Sequence, residues 1–392
     1  MSPNLTAAKG EAQRSVAAAR PALIELSHRI HANPELAFEE VQSSTWLAES
    51  LTAAGFDVER LAGRLSTAFI ATMGTGPLHI AICAEYDALP AMGHACGHNI
   101  IAASAVGAGI GLGRLADDFG LTVQVIGTPA EELGDRSGKI LLLEHGAFRD
   151  VHAGMMVHPS PYDIAAPNLI ASTTFDAAYT GKEAHAAAWP ELGINAADAL
   201  TVAQVAIGLL RQHILATDRV HGIITKGGDA ANIVPAHTSA RYKVRSERVE
   251  DLERLRERVI RCFEAGATGT GALLEITGGR TPYAHVEHDA ALAACYQRNA
   301  ESLGRTFVAM DRPAGSTDMG NVSLVVPTIH PFIGIDSSPA VNHQPEFAAC
   351  CVRPGADQAI IDGAVAMAWT ALDIAADDNQ RARLLSRSAG SA

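Results

Sequence analysis

The chain has 392 residues, 48% of them hydrophobic and 19% charged, and a formal net charge of −13. That is enough apolar material for about two domains with buried cores. The acidic balance repels nucleic acid and anionic membrane at long range, and no lysine or arginine run reverses it locally, so a small molecule is the expected partner. The opening "MSPNLTAAKGEAQRSVAAAR" has no apolar core of signal-peptide length, and no run of eighteen or more apolar residues is found, which makes the cytoplasm the default expectation. Six scattered cysteines (Cys83, Cys96, Cys262, Cys295, Cys350, Cys351) do not make a disulfide framework in a chain of this size, and reduced thiols are expected.

In chain order, "RPALIELSHRIHANPEL" has helical spacing of Leu23, Leu26 and Ile30 and stops near Pro34; "STWLAESLTAAGF" is a second helix closed by Gly55. Apolar strands and helices then alternate: "LHIAICA" (78–84), an Ala/Gly/Ile-rich helix over about 100–115, "LTVQVIG" (121–127), a helix around "SGKILLLEHGAF", and "AGMMVH" (153–158). This order predicts a largely parallel sheet. From about Ile170 the texture changes to "TTFDAAYTGK", a helix over 195–213, "VHGIITKGG", "HTSARYKVRS", the charged helix "VEDLERLRERVIRCFEAGA" and "LLEITGG". Strand, helix, strand, strand, helix, strand is the order of a split βαβ domain. After "TPYAH" come the helix "AALAACYQRNAESLG" and the run "LVVPTIHPFIGI"; the tail "NQRARLLSRSAGSA" is expected to fray. The reading is an α/β protein: a mixed, largely parallel-sheet domain with helices on both faces (1–169 and 284–392) and an inserted α+β, ferredoxin-like domain (170–283).

Ligands of open parallel sheets bind beyond the carboxyl ends of the strands, and polar clusters follow those ends here. "LHIAICA" runs into Glu85 and Asp87; "LTVQVIG" into Glu131 and Glu132; "AGMMVH" ends on His158; and His343 follows the run near "PTIHPFIGI". Cys96 and His98 of "HACGH" open the Ala/Gly-rich helix. A thiolate, imidazoles and carboxylates in this ratio suit zinc, manganese, cobalt or nickel, whereas calcium or magnesium favours oxygen alone. Each residue has a plainer reading. A cysteine is commonly a core thiol, a lone histidine is commonly a satisfied structural one, and Glu131–Glu132 fits a solvated helix start. Convergence favours the metal site, with one glutamate as ligand and its neighbour for proton transfer.

The motifs "AEYDALP…GHACGHN", "GTPAEE", "MMVHP", "GKEAHAAAWPELGINAADA", "NIVP", "GSTDMGNVS" and "VNHQPEF" span about residues 25–350. Together they closely resemble the aminoacylase/carboxypeptidase-type metal amidohydrolases, in particular the aminobenzoyl-glutamate hydrolase branch. The resemblance implies two divalent transition-metal ions per subunit, zinc or manganese first, with cobalt or nickel as alternatives. It implies Cys96 as bridging ligand, His98 and His158 completing one site, Glu132 and His343 the other, a metal-bound water as nucleophile and Glu131 as general base. Asp87 is placed to orient an imidazole. Three positions depart from relatives: Glu85 stands where peptidase branches carry His, Cys96 where they carry Asp, and Asn99 where "CGHD" is commoner.

The resemblance further gives His185 as an oxyanion donor, often acting from a partner subunit, and Asn232 and Arg245 as holders of a substrate carboxylate. Read without it, these three are ordinary surface residues. "GSTDMGNVS" is dense in donors and acceptors, and Ser316 and Thr317 are candidate substrate contacts or merely a polar turn; Ser316 has no nucleophile-elbow context. The implied activity is hydrolysis of an amide between an acyl or aroyl group and an amino acid by a homodimer joined through the inserted domain. Two alternatives stay open: a catalytically silent small-molecule binding protein on the same fold, and a C–N hydrolase acting on an aryl amine.

Overall fold

A computed structural model describes residues 4–310, 312, 313 and 315–386. The chain divides into two compact units. The first begins with α1 (Leu5–Ala32), α2 (Val41–Ala53), β1 (Asp57–Arg60), β2 (Phe69–Met73), β3 (Leu78–Ala84), α3 (His98–Gly113), β4 (Leu121–Gly127), α4 (Gly138–Glu144), β5 (Ala153–Met155) and β6 (His158–Ser160). The second, Leu169–His285 together with Gly315–Thr317, holds β7 (Ala171–Thr180), α5 (Ala196–Leu210), β8 (Arg219–Lys226), β9 (His237–Ser246), α6 (Val249–Thr270) and β10 (Leu273–Gly278). The first resumes with α7 (Ala290–Ser302), α8 (Met319–Ser323), β11 (Thr328–Ile329), β12 (Phe332–Gly334), α9 (Pro345–Cys350), α10 (Pro354–Ala376) and α11 (Asp378–Leu385).

The first unit's main sheet has the order β1-β2-β4-β3-β5-β11. β3 is parallel to β4 and β5, and β5 to β11; β2 joins β4 antiparallel, and β1 joins β2 antiparallel, so the sheet is mixed. Strand alternation serves two layers. Ile80 and Ile82 of β3 join the core built from α1, α3 and α10, while Ala81 and Cys83 face a smaller core with Leu142 of α4 and Val322 of α8. α3 is nearly all buried, which explains its lack of a polar face: α1 and α10 cover the side turned from the sheet. A Cβ at Gly107 would meet Ala364 of α10 at 2.8 Å, so glycine there sets the close approach of the two helices. α10 has the length and hydropathy of a membrane span, but 83% of that stretch is buried inside the protein and it is a core helix.

Three local expectations change. The first helix begins at Leu5 rather than near Arg20, capped by the Asn4 side chain and running through Pro21, because Ala8, Ala12 and Val16 extend the buried stripe of Leu23, Leu26 and Ile30. "LVVPTIHPFIGI" is no single strand. Proline cannot donate to a ladder, and the segments after Pro327 and Pro331 pair separately, β11 with β5 and β12 with β6. The tail does not fray over Asp378–Leu385: Asp377 caps α11, Arg383 bonds Asp289 and Arg381 bonds the Phe119 carbonyl. Residues 387–392 of that tail lie outside the described residues. Among the described residues all six cysteines are free thiols.

The second unit is a four-stranded antiparallel sheet, β10-β7-β9-β8, with α5 and α6 packed on it. Its core is aromatic: Phe175, Tyr179, Tyr242 and Phe263 are buried together. α6 is amphipathic, burying Leu252, Leu255, Val259 and Phe263 at spacings of three and four.

Candidate metal centre

The candidate ligands of the first unit sit on the elements and loops after its strands. The chain leaves β3 through Glu85 and Asp87 and turns into α3 at Gly97. Gly97 has φ +79, and a Cβ on it would lie 2.4 Å from Pro159, so only glycine lets Cys96 and His98 flank this turn. Beyond β4, Ala130 takes a left-handed φ of 60 and its N–H donates to Glu40 Oε1 at 2.8 Å; Glu131 and Glu132 follow in a single tight turn. His158 opens β6. His343 has φ 68 and is tied down by its N–H, which donates to the Ala95 carbonyl at 2.8 Å, so two distant loops are pinned one residue from Cys96.

These residues converge. The ligand atoms of Cys96, His98 and His158 lie within 4.8 Å of one another, as do those of Cys96, Glu132 and His343. Cys96 belongs to both sets. A third group joins Glu85, His98 and Glu131. Cys96 Sγ is 3.5 Å from His158 Nε2, and His343 Nε2 is 3.6 Å from Glu132 Oε1. His158 Nδ1 is 2.9 Å from the Pro159 carbonyl, which only accepts; the proton therefore sits on Nδ1 and Nε2 presents a lone pair toward Cys96. Asp87 spans the cluster, accepting from His98 Nδ1 at 3.0 Å and from the Glu132 N–H at 2.9 Å. That pairing leaves His98 Nε2 as its ligand atom.

The cluster favours a cation. His98 Nε2, Glu85 Oε2 and Glu132 Oε1 are buried and have no hydrogen-bond partner among the described residues, a costly arrangement for protein atoms alone. Burial lowers the His98 pKa, and Asp87 and Cys96 more than reverse it, holding it well above the ordinary imidazole value. Burial pushes His158 down to about 4, keeping it neutral. Glu131 and Glu132 are driven apart. Burial, then the charges of Glu85, Glu132 and Asp318, raise Glu131 well above the carboxylate range. Burial also opposes the Glu132 carboxylate, but the His343 ring 3.6 Å away and the His98 charge bring it below the ordinary value. Thiolate, imidazole and carboxylate around these orphaned atoms fit a borderline divalent transition metal.

In the second unit, His185 and Asn232 are exposed on adjoining loops: residues 185 and 233 form a bridge, and the Ala186 N–H donates to the Asn232 carbonyl at 3.0 Å. His185 Nδ1 accepts from the N–H groups of Ala187 and Ala188 at 3.2 and 3.1 Å, so the neutral ring carries its proton on Nε2, as a donor. Arg245 on β9 donates to Ser316 Oγ at 2.8 Å, while Thr317 is buried.

The cluster also contains what the spacing of motifs did not reveal. Lys139, on α4, is fully buried, with Nζ 2.6 Å from Glu85 Oε1 and 2.5 Å from Asp318 Oδ1. Its only trace in the sequence is a lysine next to the apolar run "ILLL". Asp318 is thus a buried ion partner rather than part of an open polar loop. His330, 1% exposed, stacks on His158 with ring centroids 5.4 Å apart. Asn99 donates to Ser27 Oγ and the Cys351 carbonyl, two contacts an aspartate could not make as a donor.

The fold and this cluster define a metal-dependent hydrolase of amide bonds. Residues 81–359 match the model of peptidase family M20/M25/M40, and the chain belongs to that family. It is 38% identical to the Xaa-Arg dipeptidase of Mus musculus, over 89% of this chain and 84% of that protein. It is 33% identical to one of the p-aminobenzoyl-glutamate hydrolase polypeptides of Escherichia coli, over 67% of this chain and 58% of that one. Among solved structures, a dinuclear metal-binding peptidase of the M20 family from Bacillus subtilis has a TM-score of 0.68 at 23% identity, covering 91% of this chain and 99% of that one. An aminobenzoyl-glutamate utilization protein from Klebsiella pneumoniae has a TM-score of 0.73 at 19% identity, covering 92% and 97%. These likenesses share the fold.

Proposed function

We propose that the protein hydrolyses the amide between an acyl or aroyl group and an amino acid with a free α-carboxylate, using two transition-metal ions, zinc or manganese, held by Cys96, His98, His158, Glu132 and His343. The observation carrying this reading is that Cys96 is shared by two separate three-residue ligand sets. Divalent ions bound there would lower the pKa of coordinated water and stabilise the developing oxyanion. Glu131 takes the proton of the attacking water and returns it to the departing amine. Its environment suits the task, because burial and like charge raise its affinity for a proton above that of an ordinary carboxylate. Glu132, held low by His343 and His98, remains a carboxylate and a ligand.

For His185 we assign the donor role toward the scissile carbonyl oxygen, supported by its Nε2–H tautomer. Arg245, helped by Asn232, Ser316 and Thr317, takes the substrate carboxylate. Among its own contacts a hydroxyl, rather than a carboxylate, faces the guanidinium, which leaves its charge for an anionic ligand. The substrate class spans what relatives are named for, from Xaa-Arg dipeptides to aminobenzoyl-glutamate. A homodimer is part of the proposal: β8 is an edge strand with Ile223 and Ile224 exposed, and Val202, Val205 and Leu209 make an exposed apolar stripe on α5, a surface suited to a second copy.

The test is chelation followed by add-back. Stripped protein loses amidase activity on a panel of Xaa-Arg dipeptides, N-acyl amino acids and aminobenzoyl-glutamate, and regains it with zinc or manganese. Full activity in protein shown by elemental analysis to be metal-free overturns the reading.

A further inference from the structure

Most of the acidic cluster is accounted for by the proposed ligands and base, but Glu85 and Asp318 are not. Both are fully buried carboxylates at one corner of it. Glu85 Oε2 lies 3.5 Å from His98 Nε2, and Glu85 also falls within the group formed with His98 and Glu131. Two buried carboxylates beside two more would be strongly unfavourable without a compensating cation. The cation here is part of the chain: the Lys139 ammonium bridges Glu85 Oε1 and Asp318 Oδ1, and the Lys139 backbone N–H adds a bond to Asp318 Oδ2 at 3.0 Å. Oxygen atoms from two carboxylates around one point are what a hard divalent ion seeks.

We propose that Lys139 is a positioning residue that serves as the permanent cation of this corner. It fills a Glu85–Asp318 site that a hard divalent ion would otherwise take, and so confines exchangeable metal to the two sets that share Cys96. Lys139 thereby also commits Glu85 Oε1 to the ammonium, while Glu85 Oε2 stays 3.5 Å from His98 Nε2. The inference goes beyond the proposed activity and concerns how many ions the cluster admits and where.

The experiment counts Mn2+ bound to full-length protein after chelator treatment, titration with Mn2+ and gel filtration. Lys139→Ala, which removes the charge and vacates its volume, is expected to bind one Mn2+ more than wild type. Lys139→Ala combined with Glu85→Gln is expected to return to the wild-type count. A folded Lys139→Ala with the wild-type count overturns the proposal, and so does an extra ion that persists in the double variant. If Lys139→Ala folds only with Mn2+ supplied, the count is made on protein folded that way, and one additional equivalent supports the proposal. Failure to fold even in excess Mn2+ overturns it, since the ion then does not replace the ammonium. Wild type binding no metal at all would overturn the metal-centre reading instead, and the two failures are read from different samples.

Discussion

Most candidate residues of the first unit are buried, whereas His185 and Asn232 of the second lie at the surface. In the first, Cys96, His98, Asp87, Glu131 and Lys139 are buried and held by one another and by backbone groups, so the cluster's geometry is fixed before any ligand arrives. In the second, His185 and Asn232 are exposed on loops, and what is fixed is the tautomer of His185 rather than its surroundings. Buried donors and carboxylates make strong fields and unusual pKa values; exposed ones are screened and adaptable. The chemistry is thus expected to depend most steeply on the first unit, with the second adding the His185 donor and grading substrate choice.

The largest break in this comparison is Glu131→Gln. It preserves shape, and turnover is expected to fall by roughly 10²–10⁴-fold, as for loss of a general base, with metal content retained. Loss of metal in Glu131→Gln with retention in Glu132→Gln would mean the two glutamates have exchanged roles. Next is His185→Ala, with kcat lower by roughly 10²–10³-fold and metal content unchanged, the usual consequence of removing one oxyanion donor. Unaltered kinetics would remove His185 from catalysis. Mixing inactive His185→Ala with inactive Glu131→Gln protomers sharpens this further: recovered activity in verified heterodimers identifies a donor acting from the partner, and none identifies one acting within its own protomer.

Smaller effects separate positioning from contact. Asp87→Ala, which releases both His98 Nδ1 and the Glu132 N–H, is expected to weaken metal affinity by about 10–100-fold, the usual scale for a residue that orients a ligand, measured by competition with a chromogenic chelator. Arg245→Ala is expected to raise KM about 10-fold or somewhat more for substrates with a free carboxylate, on the scale of one charged hydrogen bond. Substrates with an amidated carboxylate should be spared. An equal effect on both would make Arg245 a structural residue of the β9–Ser316 contact.

Local pattern was enough where an element's own residues decide its conformation. β3, β4 and β9 occupy Leu78–Ala84, Leu121–Gly127 and His237–Ser246, the spans given by their apolar or alternating runs, because strand propensity and turn residues act over a few positions. Gathering Cys96, His98, Glu131, Glu132, His158 and His343 near strand ends was legible too, since the ends of parallel strands share one side of the sheet. Other features depend on partners far along the chain. Only pairing with β5 and β6 divides 328–334 into two strands of different sheets, and only contacts with residues 119 and 289 hold α11 against fraying. Nothing near Lys139 in the sequence announces Glu85, 54 residues before it, or Asp318, 179 after it. A buried charge is stabilised by whatever tertiary structure brings within about 3 Å, and sequence spacing does not encode that distance.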